Sequence, residues 1–156
     1  MADHNRRNLF KWLAGIGGIL ATRQVLAEHT DTHFEEQSSH RIVYQCNSAD
    51  NEYLSHILFS AGELLRKYGD DVEIVVETFG PGLHLLGKKP GRPISAEMQA
   101  KASSLALYGI RFNACGNTMT GLNWAEDDLL PFANIVPIGV DDLMLLQEKG
   151  FSYVAW

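Results

Sequence analysis

From residue 41 onward, two hydrophobic periods alternate along the chain. The run RIVYQC (41–46) is short, apolar and β-branched, the pattern of a buried strand. In the next segment Leu54, Ile57, Leu58, Ala61, Leu65 and Tyr68 recur at three and four residues and share one helical face. Asp50 is placed to cap that helix and Gly69 to stop it. VEIVVETF (72–79) is a second strand, broken by GPG (80–82), and Leu83 to Leu86 fit a helical turn. GKKPGRP (87–93) is a loop by composition. Ser95 can cap a helix whose face carries Met98, Ala102, Leu105 and Ala106. IRFNAC (110–115) is a third strand and NIVPIG (134–139) a fourth, shortened in strength by Pro137. In VDDLMLLQEKG, Asp141 and Asp142 suit a helix N-terminus, Lys149 its C-terminus and Gly150 its end. FSYVA (151–155) is the last strand. Strands separated by helices run parallel, with helices on both sheet faces, so residues 41–156 read as one three-layer α/β/α domain.

The first 40 residues follow neither period. An Arg pair in NRRNLFK (5–11) precedes the apolar run WLAGIGGILA (12–21) and then TRQVLA. That order is a charged start, a short apolar centre and a small-residue cut, which marks a secretory signal with cleavage after Ala27. The run is about ten residues, where a membrane span needs ~20. Arg6-Arg7 with Leu9, Phe10 and Lys11 resembles a twin-arginine signal, although Asn5 stands where Ser or Thr is usual. The expected mature protein is therefore exported, periplasmic and without a stable membrane span. An uncleaved amphipathic helix is the alternative. Residues 28–40 are polar and aperiodic, a flexible leader. Its His29, His33, His40, Glu35 and Glu36 raise metal binding on composition alone, and a solvated linker accounts for them as well.

Charge narrows the partners. The chain of 156 residues has net charge −6. Residues 1–27 hold Arg6, Arg7, Lys11 and Arg23 against Asp3 alone. The rest keeps 9 of the 13 basic and 18 of the 19 acidic side chains. An acidic body with no basic stripe does not suit nucleic acid.

In open parallel sheets, ligands bind beyond the carboxyl ends of the strands. The stretches in that position are Cys46-Asn47-Ser48, Gly80-Pro81-Gly82, Cys115-Gly116-Asn117-Thr118 and Gly139. None matches the dinucleotide fingerprint or the phosphate loop, so no cofactor is expected. No metal-ligand spacing and no Ser-His-Asp grammar is present either. Cys115 ends a strand just before a helical turn beginning near Asn117, where free N–H groups favour thiolate. A free cysteine is also among the most buried residue types, so packing alone stands as the other reading. His84 follows the GPG turn and suits either proton transfer or a surface position. Asn117 and Thr118 suit ligand contact or helix capping.

Three stretches carry a family likeness. GIRFNACGNTM (109–119), VETFGPG (76–82) and VPIGVDDLMLLQEKGFSYV (136–154) resemble the DsrE/DsrF-like family of sulfur-metabolism proteins, over residues 41–155. The resemblance is greatest to small single-domain members whose third strand ends in ACGNTM. It implies a five-stranded parallel sheet in the order 4-3-2-1-5, and homo-oligomers. It also implies sulfur relay, with a cysteine carrying sulfane sulfur as a persulfide, a position that Cys115 matches. In that order the second strand separates Cys46 from Cys115 by two strand spacings of ~4.8 Å. A disulfide needs Cα atoms within ~7 Å, so the implied order disfavours a bridge. The expected function is thus an exported sulfur carrier or sulfurtransferase-type relay protein. Cys115 would be its nucleophile, with Gly80, Pro81, Gly82, Gly116, Asn117, Thr118 and Gly139 around the ligand. Its partner would be a sulfur donor or acceptor, either a protein or a small compound. The alternative is a non-catalytic binding or assembly module of the same fold.

Overall fold

The computed structural model describes residues 38–156. The signal reading of residues 1–27 falls outside them. So does the leader up to residue 37, with its His29, His33, Glu35 and Glu36. His40, assigned to the leader, instead opens the first strand. The strands are β1 (His40–Cys46), β2 (Val72–Thr78), β3 (Arg111–Cys115), β4 (Ala133–Val136) and β5 (Ser152–Val154). The helices are α1 (Asn51–Tyr68), α2 (Ala96–Leu107), α3 (Gly116–Leu122) and α4 (Gly139–Glu148). A 3₁₀ segment spans Gly80–Leu86.

The helix ends sit where the capping chemistry demands. Asp50 accepts the Tyr53 N–H at 2.9 Å, and Ser95 accepts that of Met98 at 3.1 Å. Gly69 leaves α1 at φ +57°, a conformation that a side chain would resist. Pro137 stops β4 at Val136, three residues before the predicted end, because proline has no N–H for the ladder. Gly139, read as the tail of that strand, therefore opens α4 instead.

All strand pairs are parallel, in the order β4-β3-β2-β1-β5. This is the α/β fold and strand order that the resemblance implied. The chain steps from β1 to β4 in one direction across the sheet. Right-handed crossovers taken in one direction put their helices on one face. Tyr44, Cys46, Ile74, Val76, Phe112 and Ala114 accordingly pack against Leu54, Ile57, Leu58 and Ala61 of α1, Ala102 and Leu105 of α2, and Met119 of α3. Each Leu or Ile buried there contributes roughly 1.5–3 kcal/mol. From β4 the chain returns across the whole sheet to β5, and α4 lands on the other face. There Val43 and Val75 meet Leu143, Leu146 and Phe151.

One helix cannot cover five strands. The strand starts on that second face stay polar: Arg111 pairs with Glu73 at 2.7 Å, and Arg41 donates to the Lys149 carbonyl at 2.8 Å. Among the described residues, no helix is long and apolar enough to cross a membrane.

Candidate functional site

The reversal of direction after β4 creates a seam. The chain leaves β3 toward the first face, as α3, and leaves the adjacent β4 toward the second, as α4. Neighbouring strands whose exits diverge open a crevice at their carboxyl ends, the usual ligand position in such sheets. Cys115 is the last residue of β3, in register with Val136, the last of β4. The cysteine that the sequence singles out therefore stands at that seam.

Cys115 caps α3 with extended backbone (φ −68°, ψ 114°) and is 5% exposed. Its Sγ accepts the Gly139 N–H, from the start of α4, at 3.2 Å. That bond closes the seam between the two divergent exits. Gly139 has no room for a side chain. A Cβ there would lie 2.9 Å from Glu77 Oε1, 3.1 Å from Cys115 Cβ and 3.4 Å from Phe79 Cβ. Gly116 is confined too, with the carbonyls of Pro137 and Val136 at 3.1 and 3.2 Å from where its Cβ would stand.

Thr118 links the sulfur to the GPG turn. Its Oγ1 accepts the Gly80 N–H at 3.0 Å, with Gly80 at φ +52°. Cys115, Gly116, Thr118, Gly80 and Gly139 thus form one cluster. Asn117 joins through its backbone, donating to the Pro137 carbonyl at 3.2 Å, while the residue is exposed. Pro81 is exposed on the turn. Gly82 faces the end of β1 rather than the sulfur: a Cβ on it would stand 2.1 Å from the Cys46 carbonyl oxygen.

The two cysteines, both free, differ in chemistry. Burial alone would raise the Cys115 thiol, but hydrogen bonding outweighs it and brings the group below its ordinary value. The Thr118 hydroxyl contributes most to that lowering, then the N–H groups of Gly139, Thr118 and Asn117. Of these, the Gly139 N–H meets the sulfur in full hydrogen-bond geometry, and the Asn117 N–H is already engaged by Pro137. Cys46 is wholly buried on the opposite face, and desolvation with the nearby Glu77 pushes it up to about 12. Thiolate is the nucleophilic form, and of the two thiols Cys115 is the one drawn toward it.

His84 is not the surface residue that was one reading of the sequence. It is 6% exposed, accepts the Gly91 N–H on Nδ1 at 3.1 Å and meets the Trp124 ring edge-on at 5.2 Å. Burial and the neighbouring Arg92 hold it below the usual histidine range, so it stays neutral and fastens the 87–93 loop. Trp124, uninformative in sequence, also closes over Gly87, where a Cβ would come within 2.4 Å of its ring.

Sequence reasoning missed the acidic floor of the site. Glu77, on β2, is fully buried, and among the described residues neither carboxyl oxygen has a hydrogen-bond partner. Asn113 and Asp142 lie on the same side, joined by an Asn113 Nδ2 to Asp142 Oδ2 bond of 2.7 Å. Desolvation first, and then Asp142, push Glu77 up to about 9, against a smaller lowering by Asn113. Beyond this floor opens a cleft of about 540 Å³, lined by Arg41, Arg111, Asn113, Asn134, Asp142 and Lys149 among others. Among the described residues, no group of three or more His, Cys, Asp and Glu is arranged to hold a metal ion.

Comparison with known proteins agrees with the fold. The family model described as the DsrE/DsrF-like family matches residues 40–156, and the chain belongs to that family. No curated protein matches it. Among solved structures, it is similar to the protein of unknown function MTH1491 from Methanobacterium thermoautotrophicum. Identity is 25% and the TM-score 0.66, over 75% of this chain and 99% of that one. The ychN protein from E. coli matches at 16% identity and TM-score 0.62, with the same coverage of both chains, and shares the fold.

Proposed function

We propose that this member of the DsrE/DsrF-like family is an exported sulfur-relay protein that carries sulfane sulfur on Cys115. One observation carries the reading. Of the chain's two cysteines, the one at the β3/β4 seam accepts a backbone N–H on its sulfur and is drawn toward thiolate, while the other is buried and pushed the opposite way. Family membership supports sulfur relay at the level of the family.

In the proposed step, the Cys115 thiolate attacks the outer sulfur of a donor persulfide, R–S–SH. A new Sγ–S bond forms as the donor's S–S bond breaks. The donor leaves as R–S⁻ and takes a proton from solvent, and the outgoing sulfur reaches an acceptor thiol by the same exchange in reverse. The Gly139 N–H and the Thr118 hydroxyl favour the anion before attack. Gly80, Gly116 and Gly139 keep side chains out of the space around it, while Asn117 and Pro81 offer exposed edges to a donor or acceptor protein. Export rests on the signal-like residues 1–27 and places the reaction in the periplasm. Homo-oligomerisation is supported by α4, whose outward Val140 and Met144 are 62% and 50% exposed.

The test is the mass of the protein after exposure to polysulfide or glutathione persulfide, beside Cys115→Ser. The expected result is addition of one or more sulfur atoms, reversed by reductant and absent from the variant. No adduct on the wild type refutes the proposal. The second reading, a binding or assembly module in which Cys115 only packs, draws on the 5% exposure of that residue. It predicts no adduct and slow alkylation.

A further inference from the structure

Glu77 is the group in this molecule with the least evident reason to be there. A carboxyl buried with neither oxygen bonded costs several kcal/mol if ionised, and an apolar residue of similar shape would avoid that cost. Such an orphan calls for an explanation beyond packing. Its surroundings supply one. From α4 it faces Asp142 and the backbone of Gly139. From β3 it faces Cys115 and Asn113, and from β1 its charge acts on Cys46. None of these is a cation. The ion pair of Arg111 with Glu73 is spent at the other end of the strands. Two acids and a thiol drawn toward thiolate cannot all be anionic in one dry corner. The Glu77 oxygen and the Cys115 β-carbon both crowd the single point above Gly139 where a side chain is excluded. Asp142 is half-buried, bonded by Asn113, and lines the cleft of about 540 Å³.

We propose that Glu77 is a positioning residue for Cys115. It holds the proton of this corner as a neutral acid turned toward Asp142, which keeps the carboxyl beside the Cys115 thiolate uncharged, and it exchanges that proton with the cleft through Asp142. Gln would match the shape and the neutrality but could neither release nor regain the proton. The raised position of the carboxyl, about 9, agrees with the geometry. The proposal deepens the reading of Cys115 as the working thiol and rests on it for its purpose. Its test reads protons rather than sulfur, so the two can fail separately.

The experiment is a carboxyl ¹³C NMR titration of the full chain labelled at glutamate, with Glu77 identified by its loss in Glu77→Gln. The expected Glu77 signal titrates near 9. It moves down by about one pH unit in Cys115→Ser, and again in Asp142→Asn, as each like charge is removed. A second readout uses Cys115 itself. The ratio of its alkylation rates by anionic iodoacetate and neutral iodoacetamide should fall about threefold as Glu77 ionises, the effect of a unit charge at ~6 Å in a water-like dielectric. That ratio should stay flat in Glu77→Gln. A Glu77 signal in the ordinary carboxylate range overturns the proposal. So does a high-titrating signal that ignores Cys115→Ser, because it would make Glu77 an isolated buried acid. If Glu77→Gln does not fold, the response of the high-titrating signal to Cys115→Ser decides alone.

Discussion

Thr118→Val is the sharpest perturbation of the proposed site. Valine keeps the shape of threonine and removes the hydroxyl. That hydroxyl accepts the Gly80 N–H at 3.0 Å and is the largest hydrogen-bonding influence lowering the Cys115 thiol. Two losses follow. The Gly80 N–H, part-buried, is left without its acceptor, which costs about 1–2 kcal/mol of stability. The thiolate also loses the largest of the influences that lower it; a hydroxyl bond to a charged acceptor, where fully formed, is worth about 1.5–3 kcal/mol. Since 1.36 kcal/mol is one pKa unit, the thiolate population below the midpoint should fall about tenfold or more. The assay is the pH profile of iodoacetamide alkylation, followed by mass. It reports Cys115 alone, because Cys46 is fully buried and pushed up to about 12. Thr118→Ser keeps the hydroxyl and should keep most of the profile. A Thr118→Val profile that superimposes on wild type would refute the role of this hydroxyl. Equal losses in the Ser and Val variants would trace the effect to the methyl group instead.

Three further outcomes are expected. Gly82→Ala should destabilise the domain by about 3 kcal/mol or more in chemical denaturation, since its Cβ meets the Cys46 carbonyl oxygen at 2.1 Å and neither backbone can yield. Val140→Glu combined with Met144→Glu should lower the assembly mass in analytical ultracentrifugation while leaving the circular dichroism unchanged, because both side chains point outward from α4. Glu77 makes stability depend on pH with a fixed sign. Its folded value, about 9, lies above its ordinary 4.5, so between these the native state holds a proton that the unfolded chain has released. The stability is fully present below 4.5 and is lost as pH rises toward 9. Glu77→Gln should therefore gain on wild type by a few kcal/mol between pH 5 and pH 8 in urea titrations.

Much of the scaffold was legible because it is written in local chemistry. Asp50, Ser95 and Gly69 mark helix ends through bonds and dihedral angles made within a few residues, and they stand where the pattern put them. The strand order did not come from such signals, since nothing local orders parallel strands. It came from likeness to known proteins. The site divided the same way. Cys115, Gly116 and Thr118 lie within four consecutive residues and stand out together. Glu77 does not, because VEIVVET places Glu73 and Glu77 on the same face with nothing to tell them apart. Their fates differ by position along the strand: Glu73 lies at the open end with Arg111, and Glu77 beneath the start of α4. His84 was misjudged for a similar reason, as its burial depends on Trp124, forty residues away, and on the Gly91 N–H.

The element that ties these observations together is α4. Its first N–H meets the Cys115 sulfur, its Asp142 meets Asn113 beside Glu77, and its outer side carries Val140 and Met144. Among the described residues it is also the one helix on its face of the sheet, so its seating depends on Leu143 and Leu146 against Val43 and Val75. A short helix held by one small cluster is less firmly placed than α1 or α2, which pack on each other as well as on the sheet. A subunit covering the outer side of α4 would hold Gly139 and Asp142 in register with Cys115 and Glu77. Assembly and thiol reactivity are then linked through a single rigid element. The double α4 variant therefore carries a second expectation: where it separates the subunits, the alkylation profile of Cys115 should move toward that of Thr118→Val. A monomer with the wild-type profile would show that the isolated chain already fixes the seam.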